Sequence, residues 1–189
     1  MKRVFIVHGW DFKPSFAWYP WLRRELERSG FEAHTLEMPN ASTPKIDEWT
    51  GHLKKEVGNV DNDTYFIGHS IGCQTILRFL EKLSGNQIAG GAVFVSGWIN
   101  LENLETDGER KIAKPWLETK ISLEKAKKHC KRFSAIFSDD DPWVPMSDEK
   151  IFKEKLGAET FTEKGKEHFT KMTQLPIALN RLLYFAKNR

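Results

Sequence analysis

Short unbroken apolar runs alternate along this chain with stretches of helical periodicity. Val4-Phe5-Ile6-Val7 is the first run, and Tyr65-Phe66-Ile67, Ala92-Val93-Phe94-Val95 and Ala135-Ile136-Phe137 follow the same pattern. Runs this short, rich in β-branched and aromatic residues, fit strands buried on both faces. Ala33 to Leu36 and Glu159 to Thr162 are two weaker candidates. Between the runs, apolar residues recur at helical spacing. Trp18, Trp21, Leu22 and Leu26 lead to Ser29-Gly30; Ile46, Trp49, Leu53 and Val57 lead to Gly58; Ile71, Ile76, Leu77, Leu80 and Leu83 lead to Ser84-Gly85. Ile151, Phe152 and Leu156 close at Gly157, and Pro176 opens a last stretch through Ile177, Leu179, Leu182, Leu183 and Phe185. Glycine just past a periodic segment and proline at its start are helix stop and start signals. The pattern predicts an α/β fold of about six mostly parallel strands with helices on both faces.

A chain of 189 residues can bury a substantial core without disulfides or metals, and a single domain over 1–189 is expected. No internal repeat or low-complexity tract interrupts it. The one long connection, 97–121, carries Glu102, Glu105, Asp107, Glu109, Arg110 and Lys111 together with Pro115-Trp116. Loops of this length are more often functional than idle, so a small cap-like excursion over the site is expected there. The net charge is +3, with both signs interspersed. That balance implies no acidic partner, and neither nucleic acid nor membrane is expected to bind. The most basic stretch, Lys125 to Arg132, reads as a solvated helix end. Cys73 and Cys130, the only cysteines, make neither a disulfide framework nor a zinc-binding pair. The apolar run at the start stops at His8-Gly9, short of the roughly 7–15 residues of a secretory segment and the roughly 20 of a membrane span. A soluble, cytoplasmic protein is expected.

Gly68-His69-Ser70-Ile71-Gly72 fits the G-x-S-x-G pattern. On composition alone such a match arises in roughly one chain in twenty of this length, so its setting carries the weight. The predicted strand Tyr65–Ile67 runs into it and an apolar-periodic helix leaves it, which is the strand–turn–helix context of a nucleophile elbow. The tight turn demands minimal side chains on its flanks. A helix starting just after Ser70 aims backbone N–H groups and a positive dipole end at the reacting oxygen.

A serine hydroxyl needs a base to take its proton and an acid to orient that base, in the chain order Ser, acid, His for this architecture. The acid is expected just beyond a later strand. Ala135-Ile136-Phe137-Ser138 is such a strand, and Asp139, Asp140 and Asp141 compete after it. Asp141 stands three residues before Val144-Pro145, the spacing of a D-x-x-V-P acid turn, while Asp139 and Asp140 can set up the turn through side-chain hydrogen bonds. The alternative acid position, after Val95, holds Ser96-Gly97-Trp98 and no carboxylate. The base should precede the terminal helix, where His168 is the only histidine. His8 and His69 flank the same region with structural roles, and His34, His52 and His129 read as surface positions. Two backbone donors are needed for the oxyanion. Ile71, next after Ser70, supplies one, and Trp10, in the loop after the first strand, supplies the other. Ligands of such sheets sit at the carboxyl ends of the strands, so His8, Gly9, Trp98 and Trp143 are expected to line a hydrophobic acyl or alcohol pocket.

Taken together these residues resemble the small serine hydrolases of the YdeN kind, which include retinoblastoma-binding serine hydrolases. The likeness runs over nearly the whole chain, through Val7-His8-Gly9, Trp21-Leu22, Met38-Pro39-Asn40, Gly68 to Cys73, Ile76 to Leu80, Val95-Ser96-Gly97, Asp140-Asp141 and Gly165 through Phe169. It implies a minimal α/β-hydrolase fold lacking the first two strands of larger relatives, with Ser70, Asp141 and His168 as triad. Lys166-Glu167 depart from the family, which often has Gly-His or Gly-Gly-His. That departure is expected to loosen the histidine loop while leaving His168 without a competitor. The expected activity is cleavage of carboxylic ester bonds of small acyl substrates through an acyl-enzyme, with no cofactor and no metal. The alternative is a catalytically weak α/β-hydrolase that binds protein through 97–121. A fluorophosphonate probe separates the two, because only a reactive Ser70 labels strongly.

Overall fold

The computed structural model describes residues 1–188; Arg189, the last residue of the expected domain, lies outside the described residues. Six strands, β1 (Arg3–Val7), β2 (Glu32–Leu36), β3 (Thr64–His69), β4 (Gly91–Val95), β5 (Phe133–Ser138) and β6 (Glu159–Glu163), form one sheet in the order β2-β1-β3-β4-β5-β6. Every pairing is parallel rather than most of them. The helices are α1 (Tyr19–Arg28), α2 (Ile46–Val57), α3 (Ile71–Glu81), α4 (Asp107–Glu118), α5 (Leu123–Lys128), α6 (Ser147–Ile151), which runs on as a π-helical turn over Phe152–Leu156, and α7 (Pro176–Lys187).

Side chains alternate between the two faces of a strand, and here both faces are covered. Val4 and Ile6 share a core with Leu22 and Leu26 of α1 and Leu182 and Phe185 of α7. Phe5 and Val7 belong to the opposite core, with Trp49 and Leu53 of α2 and Ile76 and Leu80 of α3. Double coverage makes both parities apolar, which is why these strands read as unbroken runs. β6 closes one edge, and the side chains of Glu159 and Thr162 are exposed there, so its pattern is faint.

The connection 97–121 contains an ordered helix, α4. Thr106 accepts from the Glu109 N–H at 3.1 Å while the Glu109 carboxylate accepts from the Thr106 N–H at 2.9 Å, a capping box that Thr-x-x-Glu announces in sequence. Its charged outer face conceals an apolar seam in which Ala113 and Trp116 are buried. The Trp116 indole donates to the Pro44 carbonyl at 2.9 Å and meets Trp49 edge-on. The far end of α4 is fastened by Arg78 of α3, which is 1% exposed. Its guanidinium donates to the carbonyls of Trp116 (2.9 Å) and Thr119 (2.7 Å) and to the Gln74 amide oxygen. A cation on the last carbonyls of a helix also complements its dipole.

The chain steps from β1 outward to β2, then returns to place β3 on the other side of β1. At such a reversal the adjoining loops diverge and leave a crevice beyond the carboxyl ends of the strands. β1 ends there in His8-Gly9-Trp10 and β3 in Ser70.

Arg78→Met should orphan the buried Trp116 carbonyl and the partly buried Thr119 carbonyl and cost about 3 kcal/mol of unfolding free energy. Calorimetry should show this as a fall in Tm of roughly 6–12 °C, with amide protection lost first across α4.

Candidate active site

Ser70 occupies the single residue between β3 and α3, with φ 54° and ψ −123°. A non-glycine residue holds such a backbone only where its surroundings dictate it. They do so here from three sides. The Ser70 N–H donates to the Val95 carbonyl at 2.9 Å. The start of α3 lies so close to β1 that a Cβ on Gly72 would stand 2.3 Å from the Val7 carbonyl oxygen, and one on Gly68 would stand 2.8 Å from the Cys73 nitrogen. The glycines are therefore required by backbone approach, and the serine side chain is left at the top of the turn, facing the crevice.

His168 follows β6 and is 4% exposed. Its Nδ1 lies 2.8 Å and 3.0 Å from the two carboxylate oxygens of Asp141. Of the three competing aspartates, Asp141 is the one joined to the histidine. The same carboxylate accepts from the N–H groups of Trp143 (3.0 Å) and Val144 (3.1 Å) and from the Ser96 hydroxyl (2.7 Å). Burial pushes the Asp141 pKa up, but the bonds from His168, Ser96 and Trp143 outweigh it and hold the carboxyl below its ordinary value. With Nδ1 engaged as donor, Nε2 is the nitrogen available to a hydroxyl. Trp143 stands edge-on to the His168 ring at 5.0 Å.

The Lys166-Glu167 departure does not loosen the histidine loop. Three successive N–H groups of that loop are taken up at the end of β5: Gly165 by the Asp139 carboxylate (2.9 Å), Lys166 by the Ser138 hydroxyl (2.9 Å) and Glu167 by the Asp140 carboxylate (2.7 Å). Asp139 and Asp140 thus organise the neighbouring loop rather than only their own turn. The added residues are accommodated because each brings a donor that finds an acceptor.

Ser70, Ile71 and His168 line a cavity of about 370 Å³, together with Trp10, Trp98 and Trp143. His8 and Gly9 do not line it. His8 is buried, donates from Nδ1 to the Gly9 carbonyl and accepts the Met38 N–H on Nε2 at 3.1 Å; burial lowers its pKa. It fastens the loop after β1 to the Met38-Pro39-Asn40 segment, a task for which it must sit behind the wall. Gly9 lies beside the serine, where a Cβ would meet Phe12 at 2.6 Å. Phe12, Ser42, Leu101, Leu104, Asp11 and Glu109 complete the lining and are invisible to motif spacing, since loops far apart in sequence deliver them. The 97–121 excursion contributes Leu101, Leu104 and Glu109 to one wall. The buried carboxylate of Asp148 shapes that excursion by accepting from the N–H groups of Ile99 (2.6 Å) and Asn100 (2.9 Å). Ser96, at the position after Val95 that holds no carboxylate, instead donates its hydroxyl to Asp141. Among the described residues, no group of three or more His, Cys, Asp or Glu side chains is arranged to hold a metal ion, and no helix is long and apolar enough to cross a membrane.

A profile of the serine hydrolase family matches residues 4–176. The chain belongs to that family. It is 32% identical to the putative hydrolase YdeN of Bacillus subtilis (strain 168) over 191 aligned positions, covering 98% of this chain and 97% of YdeN. Similarity to the rat (Rattus norvegicus) serine hydrolase RBBP9 is 28% identity over 80% of this chain and 77% of that one. The crystal structure of the B. subtilis ydeN gene product superposes with a TM-score of 0.90, at 29% identity and full coverage of both chains. Est1E from Butyrivibrio proteoclasticus shares the fold at a TM-score of 0.73, with 14% identity, 99% coverage of this chain and 89% of Est1E. The fold of this serine hydrolase is thus the minimal α/β-hydrolase arrangement.

Beneath the cavity His69 is fully buried, with its ring 5.1 Å from that of His168. Burial, reinforced by His168, pushes its pKa down to about 3 from the ordinary 6.5. Well above pH 6.5 both folded and unfolded forms are neutral and His69 adds no pH dependence. Below that the unfolded imidazole takes a proton that the folded one refuses, so stability should fall by up to about 1.4 kcal/mol per pH unit. Urea unfolding between about pH 6 and pH 4 should show a shallower slope for His69→Gln than for wild type.

Proposed function

We infer that this serine hydrolase cleaves carboxylic ester bonds of small substrates through a Ser70–His168–Asp141 triad. The observation that carries the reading is the meeting of two independent arrangements on one cavity: a serine raised on a strained strand-to-helix turn, and a histidine whose Nδ1 is held by a buried carboxylate. In this mechanism Ser70 Oγ attacks the substrate carbonyl carbon as its proton passes to His168 Nε2. Asp141 keeps the ring in the tautomer that can accept that proton and stabilises the imidazolium that results. The tetrahedral oxyanion is met by the backbone N–H groups of Ile71 and Trp10; each such donor contributes about 3 kcal/mol in comparable sites. Collapse expels the alcohol, which takes the proton from His168 and leaves an acyl-Ser70. Water then attacks the acyl carbon, giving up a proton to His168 Nε2, and His168 passes that proton to Ser70 Oγ as the acid departs.

The lining favours apolar and aromatic groups. Trp10, Phe12, Trp98, Leu101, Leu104 and Trp143 present carbon surface, and the charged members, Asp11 and Glu109, are both carboxylates. A site of about 370 Å³ suits a short acyl chain or an aryl alcohol.

Purified protein should hydrolyse short-chain aryl esters and be labelled at Ser70 by a fluorophosphonate. Ser70→Ala should abolish labelling and lower kcat/KM by at least about a thousandfold, with Asp141→Asn and His168→Ala losing comparable activity. Wild-type turnover by pure Ser70→Ala protein would rule the mechanism out.

A further inference from the structure

A second hydrogen-bonded chain passes beneath the cavity, and its direction can be read atom by atom. The Nε2 of His69 lies 2.9 Å from the backbone carbonyl oxygen of His168. A carbonyl only accepts, so Nε2 carries the proton and donates. Neutral imidazole then has an unprotonated Nδ1, and the Tyr19 hydroxyl, 2.6 Å away, must donate to it. The lone pairs of that hydroxyl remain to accept, and the N–H of Gly9 points at it from 3.3 Å. The order Gly9 N–H to Tyr19 O–H to His69 Nδ1, then His69 Nε2–H to His168 C=O, leaves no alternative polarity. Tyr19 and His69 are both fully buried; Phe12 stacks on the His69 ring, with Trp18 tilted and Tyr19 edge-on to it, all within 6 Å.

The two ends of this chain belong to the two loops that the reaction must keep in register. Gly9 immediately precedes Trp10, the proposed oxyanion donor. The His168 carbonyl belongs to the proposed base, in a loop whose flanking residues Glu167 and Phe169 take positive φ of 48° and 58°. We propose that Tyr19 and His69 are positioning residues that tie the oxyanion loop to the histidine loop, so that the Trp10 N–H and the His168 ring keep one fixed separation across Ser70. This rests on the triad reading above. Neither residue lines the cavity. Unlike an ordinary packing pair, the two act through one directed set of bonds, and linked donors of one polarity reinforce one another.

Three variants and one spectrum test the proposal. Kinetics use a neutral aryl butyrate, with kcat expressed per active site titrated by fluorophosphonate, so that misfolded protein does not count. Tyr19→Phe keeps the ring and removes the hydroxyl, while His69→Leu removes both imidazole nitrogens. Each should lower kcat on the order of tenfold to a hundredfold, with KM changed by less than about twofold, as small misplacements of reacting groups do. His69→Gln, whose amide can still donate to the His168 carbonyl, should recover part of what His69→Leu loses. The double variant Tyr19→Phe/His69→Leu should lose no more than the larger single loss, as expected of members of one unit. In wild-type protein with ¹⁵N-labelled histidine, His69 should be protonated on Nε2 and bare on Nδ1. The opposite tautomer, a kcat per titrated site within about twofold of wild type in Tyr19→Phe, or equal losses for His69→Leu and His69→Gln would each overturn the proposal. A wild-type protein that neither labels nor turns over would overturn the triad reading and this inference together, whereas active wild type with unaffected variants overturns the inference alone.

Discussion

The carboxylate of Asp141 is the point on which the upper half of the molecule is assembled. A buried carboxylate is costly unless hydrogen bonds replace its water, and here the replacements come from three separate segments. Ser96 approaches from the end of β4, Trp143 and Val144 from the turn beyond β5, and His168 from the loop after β6. Satisfying one anion therefore dictates the relative placement of three loops. The serine turn is linked to the same assembly, because the N–H of Ser70 bonds the Val95 carbonyl next to Ser96.

Polar groups are placed in layers around that anion. Asp139, Ser138 and Asp140 take up consecutive amides of the histidine loop. Asp148 shapes the start of the excursion, and Arg78 fastens its end. Ser138, Asp148 and Arg78 are buried and Asp139 and Asp140 are exposed, and each meets main-chain groups that no strand or helix satisfies. A backbone N–H or carbonyl left without water needs such a partner, so irregular loops around a cavity demand polar residues beneath them. The apolar sheet supplies rigidity; these residues convert it into fixed loop positions.

Much of the fold was legible because burial on both sides of a parallel sheet writes itself as unbroken apolar runs. Val4 to Val7, Tyr65 to Ile67 and Ala92 to Val95 were therefore plain, and the exposed edge β6 was faint. Helix α4 was hidden by its charged outer face, although Thr106 and Glu109 carried its capping signal. At the site, Ser70 was legible from the strand and helix that bracket it, and His168 from chain order. The choice among Asp139, Asp140 and Asp141 depended on which carboxylate reaches the histidine, and spacing alone does not measure reach. His8 and Gly9 were placed in the pocket by proximity along the chain, whereas His8 turns inward to bond Met38.

What the sequence by itself determined is periodic and local: the α/β class, the order of the strands, the helices with a plain apolar face and the glycine-flanked serine turn. Those follow from neighbouring residues, whose spacing the chain itself sets. What only the tertiary structure decided is the set of meetings between distant segments: Ser96 with Asp141, Tyr19 with His69, Arg78 with the end of α4, and the loops that wall the cavity. Hydrogen bonds act over about 3 Å, and which groups come that close is settled by how the loops fold over the sheet.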